Sequence, residues 1–82
     1  MRTKELIERF DKCGFQTKKR VDTDDKTTSF VLEVYERGDL MVEIFDNIYG
    51  TNCSISEEIS VLKGKEIRDI IKILYELVIS ED

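Results

Sequence analysis

Glu33 and Glu43 are the pair in this chain whose type and spacing could do chemistry, because they fall diagonally across an expected β-hairpin. Paired carboxylates act as acid and base when an enclosed cleft drives their protonation apart. An open sheet with no enclosing loops leaves such acids solvated, and the chain contains no His. Ser54, Ser56 and Ser60 therefore lack the usual base. Ser60 stands three residues before Lys63, but Ser and Lys are too common here for that spacing to carry meaning. No catalytic residue is expected, and the chain is read as a non-enzyme.

Other motifs dissolve under the same test. Asp22, Asp24 and Glu33 match positions 1, 3 and 12 of a calcium loop, yet Lys26 and Thr27 stand where an oxygen ligand and a glycine are required. Cys13 and Cys53 are the only cysteines, and two thiols without His or a CxxC pair make no zinc site. In a reducing compartment they are expected as small buried apolar groups rather than a disulfide. No metal and no cofactor are expected. Asn52-Cys53-Ser54 spells a glycosylation sequon that a cytosolic chain never presents to the enzyme. Arg37-Gly38-Asp39 spells an adhesion tripeptide but reads as a hairpin loop, and Lys18-Lys19-Arg20 reads as a solvated edge strand.

The elements that must position these residues follow from periodicity. Leu6, Ile7, Phe10 and Cys13 share one face of a helix over residues 3–13, and Gly14 can close it with Phe15 folding back. Residues 15–21 alternate as an edge strand, and 22–27 form a polar loop. Residues 29–35 are the strongest strand, with Phe30, Leu32 and Val34 on one face and Val31, Glu33 and Tyr35 on the other. Residues 40–45 follow, with Leu40, Val42 and Ile44 facing the core and Met41, Glu43 and Phe45 facing away. A three-residue loop Glu36-Arg37-Gly38 would pair Val34 with Leu40, Leu32 with Val42 and Phe30 with Ile44. Residues 46–52 read as a turn. Residues 53–62 are ambiguous: alternation favours a strand bulged near Glu57-Glu58, while Ser54-Ile55-Ser56-Glu57 also spells a capping box. Residues 64–79 form an amphipathic helix whose apolar arc is widened by Ile73 and Tyr75, beyond what one small sheet needs. The tail 80–82 should fray. The expected fold is a single α+β domain over residues 1–82, an antiparallel three- to four-stranded sheet with the N- and C-terminal helices on one face.

Charge supplies the functional expectation. Residues 31–62 hold seven carboxylates and one base, an excess larger than the whole chain's net −5. An acidic sheet suits a basic protein surface and disfavours direct contact with nucleic acid. No run approaches the roughly 20 apolar residues of a bilayer span, and the first residues lack a signal-like hydrophobic stretch, so a cytoplasmic protein without a membrane partner is expected. The expected contact residues are Glu33, Tyr35, Glu36, Asp39, Met41, Glu43 and Asp46, with charges speeding encounter and Tyr35, Met41 and Phe45 supplying buried area. The alternative is a homodimer, or a small structural adaptor, that uses the last helix or the uncovered sheet face.

The amphipathic start at residues 4–10, the loop Thr23-Asp24-Asp25, the hairpin 30–45 and the acids Glu33, Glu36, Asp39, Glu43 and Asp46 together resemble small phage-encoded anti-CRISPR proteins. In the best-known of these a short helix precedes a three-stranded antiparallel sheet and further helices on an acidic domain. The resemblance implies an inhibitor acting as a DNA mimic, whose carboxylates occupy the arginine-rich channel of a nucleic-acid-handling enzyme. This chain departs from the pattern in carrying its acids more on the sheet and in its longer, more basic last helix, so no inhibitory residue is carried over.

Overall fold

Helix α1 spans Thr3–Lys12. The computed structural model describes residues 1–22 and 26–80 and shows why this helix stops. Gly14 adopts φ +88°, where any Cβ would be strained. The Phe15 N–H donates to the Phe10 carbonyl and the Gly14 N–H to the Asp11 carbonyl, each at 3.0 Å, a Schellman closure. Phe15 folds back onto Phe10 with ring centroids 6.1 Å apart, edge to face.

Four antiparallel strands follow in spatial order β1-β2-β3-β4: Gln16–Arg20, Thr28–Glu36, Asp39–Asn47 and Gly50–Ile55. Helix α2, Gly64–Leu74, continues through one wider π-type turn, Tyr75–Ile79, where the Ser80 N–H reaches back to the Tyr75 carbonyl. Helix and turn together occupy the span read from periodicity. The fold is the expected α+β arrangement. Leu6 and Phe10 of α1, Ile70, Ile73 and Leu74 of α2, and Leu77 and Val78 of its last turn share one core with Leu32, Val34, Val42 and Ile44. Each such side chain, fully buried, contributes about 1.5–3 kcal/mol. Much of the polar loop expected at 22–27, including Asp24 of the calcium template, and the tail at 81–82 lie outside the described residues.

The central hairpin corrects the expected register. Its loop has two residues, Arg37 (φ +52°) and Gly38 (φ +85°), so Glu36 pairs with Asp39 and Tyr35 with Leu40. Two left-handed residues make a primed turn, whose twist matches that of the strands. A bulge then inserts Met41, after which Val34 pairs with Val42, Leu32 with Ile44 and Phe30 with Asp46. The two-residue displacement at Val34 keeps Leu32, Val34, Val42 and Ile44 in the core, since side chains alternate with period two, but Phe30, expected opposite Ile44, stands outside it. Leu40 and Met41 exchange places. Leu40 stands opposite Tyr35, and Met41 is buried in the core at 1% exposure.

Residues 53–62 divide between both readings. β4 ends at Ile55, and a 3-10 turn, Glu57–Val61, replaces the rest of the expected strand. Ser56 caps it: its Oγ accepts from the Glu58 N–H at 3.2 Å. Glu57 and Glu58 sit where the turn's free N–H groups favour negative charge. Buried Leu62 and half-buried Ile59 anchor the segment to the core.

Candidate functional site

The uncovered face of the sheet is organised by Arg20. Its strand β1 is an edge, and Arg20 pairs with Val31, which pairs with Phe45 on β3. Val31 is fully buried yet stands outside the helix-side core, beneath this row of side chains. Arg20 Nε donates to Glu33 Oε2 at 3.1 Å, and Arg20 Nη2 donates to Glu43 Oε2 at 2.8 Å. The Tyr35 hydroxyl donates to Glu33 Oε1 at 3.1 Å. Glu33 and Glu43 stand directly opposite each other across β2 and β3, a like-charge pairing that is unfavourable without a cation between them. Glu33 is only 9% exposed. The hydrogen bond to Glu43 leads in raising the Arg20 pKa above its ordinary value. Desolvation, followed by the bond to Glu33, raises that of the Tyr35 phenol. The cluster holds strands together; Glu33 and Glu43 spend their charge on the chain's own arginine.

The seven expected contact residues do not form one surface. Glu33, Tyr35 and Glu43 meet in the Arg20 cluster, and Met41 lies in the core. Asp46 lies 4.0 Å from the amino group of Met1. Glu36 and Asp39 oppose each other at the hairpin tip; Glu36 also meets the Glu66 carboxyl, and no ion pair to either tip acid is seen among the described residues. Arg37, between them in sequence, turns instead to Glu66 on α2, 3.7 Å away. Glu66 also accepts from the Lys63 N–H at 2.9 Å, which leads in holding its carboxyl below the ordinary value. Sequence reasoning took Arg20 for a solvated edge residue. Its alternation onto the face of Glu33 was the available signal.

A second surface lies along the other edge of the sheet. Ile71, Tyr75 and Ile79 recur every four residues along α2 and its last turn, and all three are exposed, Tyr75 by 61%. Ile73, the opposite margin of the wide arc, is buried. Arg9 of α1 joins Glu76 at 2.9 Å, so α1 flanks the Glu76 side of α2 and the exposed stripe faces away from it. Val78 and Ile79 instead meet β4. With Tyr49, Gly50, Thr51, Asn52 and Cys53 they line a hollow of about 390 Å³. Tyr49, at the tip of the β3–β4 turn, is the most exposed large hydrophobic side chain among the described residues, at 85%. Its N–H donates to Asn47 Oδ1 at 2.9 Å, which sets the turn.

The two edges of the sheet differ in chemistry. β1 carries Lys18, Lys19 and Arg20, and lysines on an edge discourage further strand addition. β4 reads Gly-Thr-Asn-Cys-Ser-Ile, with no charge and no proline. Among the described residues no strand pairs with its outer side. No described helix is long and apolar enough to cross a membrane, and no three His, Cys, Asp or Glu among the described residues gather as metal ligands would. Comparisons with family models, with curated proteins and with solved structures find no match to this chain.

Proposed function

We propose that the chain works by binding another protein, through the flank that β4, Tyr49 and the Ile71–Tyr75–Ile79 stripe form together. One observation carries this reading: Ile79, the last of three exposed apolar side chains along α2 and its final turn, lies with Val78 beside β4, an uncharged strand whose outer side no described strand pairs. A strand edge offers main-chain hydrogen bonds, and the stripe offers the anchoring area that hydrogen bonds alone lack. Isolated apolar side chains on a surface mean little, but several exposed near an open strand edge suit a contact surface. The Arg20 cluster then has a scaffold role, tying β1 through β3 together behind it.

The test is photo-crosslinking in cells with p-benzoylphenylalanine in place of Tyr75. Covalent adducts are expected from this position and not from the same replacement at Lys12, exposed on α1. Equal labelling from both positions, or none from position 75, removes the reading.

A second reading rests on the hairpin tip, where Glu36 and Asp39 oppose each other without a basic partner among the described residues. Opposed like charges favour an external cation between them. An acidic inhibitor that occupies the basic surface of a nucleic-acid-handling protein would use this tip. Such binding would weaken steeply as salt rises and would be lost in Glu36→Gln/Asp39→Asn.

A further inference from the structure

We propose that the partner on this flank is a second copy of the chain, joined by antiparallel pairing of β4 with its symmetry mate into one continuous eight-stranded sheet. This rests on the binding reading above and names its partner. The Ser56 N–H donates to the Met41 carbonyl at 2.8 Å, so Ser56 points toward β3. Backbone groups along a strand alternate in direction, which turns Ser54 inward as well and Cys53 and Ile55 outward. A two-fold axis passing between two opposed Cys53 residues then places Ile55 of one copy opposite Thr51 of the other.

This register is self-complementary. Ile55 pairs with Val42 and shares the helix-side face of β4 with Cys53, which packs against the core. At 51% exposure it projects from its own copy. Opposite the partner's Thr51 it enters the partner's hollow between Tyr49, Cys53, Val78 and Ile79, whose volume exceeds that of an isoleucine side chain. Knob and hollow thus lie on one patch, as a two-fold interface demands. The same axis runs the two α2 helices antiparallel and brings each copy's Val78 and Ile79, which meet β4, toward the seam.

Charge selects this edge. Two copies at net −5 repel, so self-association must bring together their least charged surfaces. Residues 49–56 contain no ionisable acid or base apart from the Tyr49 phenol and the Cys53 thiol, and burial pushes that thiol up, keeping it neutral. The β1 edge, with three cations in five residues, would place cation against cation.

The decisive experiment joins sedimentation equilibrium with amide exchange on the intact chain and the position-75 crosslink. Twice the 9.6 kDa chain mass is expected, with slow exchange at the Cys53 and Ile55 amides. The photo-adduct is expected at the mass of two chains. Ile55→Lys should give a single-chain mass at every concentration with an unchanged far-ultraviolet circular dichroism spectrum. Ile48→Lys, on the β3–β4 turn outside the paired strand, should remain dimeric. A dimer with fast exchange at both amides, or one that survives Ile55→Lys, overturns the strand pairing. A single-chain mass together with an adduct to a different protein overturns the homodimer and leaves the binding reading standing. A single-chain mass with no adduct overturns both.

Discussion

Arg20 on the edge strand β1 reaches over β2 to Glu43 on β3, with Nη2 2.8 Å from the carboxylate, while its Nε holds Glu33 on the strand between. One side chain thereby ties three strands. It also bridges two carboxylates that the register sets face to face.

Removing that side chain leaves a nearly buried carboxylate and its neighbour without the guanidinium that bridges them. Arg20→Ala should lower the melting temperature by several degrees, and by more than Glu43→Gln, which strands only one partner. Thermal melts of the two variants beside wild type check that order.

Tyr35 makes an alkaline prediction. Desolvation and the bond to Glu33 hold its phenol above the ordinary value. Its folded-state contribution is thus intact below the unfolded tyrosine pKa, near 10, and is lost as pH climbs through the folded value. Wild type should lose stability in that window relative to its own neutral value, and Tyr35→Phe should lose less. Urea melts at neutral and alkaline pH, with phenolate absorbance recorded alongside, check both directions.

The bulge makes adjacent residues unequal. Met41 fills the core, so Met41→Ala should cost about 2–5 kcal/mol in urea unfolding. Leu40, half-exposed opposite Tyr35, should cost about 1 kcal/mol. The expected three-residue loop would reverse that order, so the pair of variants tests the register directly.

The hairpin turn can be improved. Arg37 occupies a left-handed conformation that an ordinary side chain adopts at a cost of about 1–2 kcal/mol, and Gly38 follows it. Arg37→Asn makes the Asn-Gly turn preferred in primed hairpins. It should raise unfolding stability by about 0.5–1 kcal/mol even though the 3.7 Å contact with Glu66 is lost, since exposed pairs contribute little. A decrease in stability would show that the contact outweighs the backbone strain.

The sequence alone determined what depends on neighbours along the chain. Period 3.6 marked α1 and α2 with its final turn, period two marked β1, β2 and β3 but not the start of β4 at Gly50 within an expected turn, and Gly14 with Phe15 marked a helix end whose hydrogen bonds are all local. Tertiary structure decided whatever joins distant segments. Whether Met41 or Leu40 enters the core depended on a bulge that alternation does not encode. Whether residues 53–62 stayed extended depended on Ser56 capping a turn that Ile59 and Leu62 could anchor. The charges of Glu33 and Glu43 read as outward-facing acids until β1 set Arg20 against them, because composition counts charges and only strand pairing assigns their partners. The wide apolar arc of α2 was visible from spacing, but only the width of the sheet beneath it left Ile71, Tyr75 and Ile79 uncovered while burying Ile73.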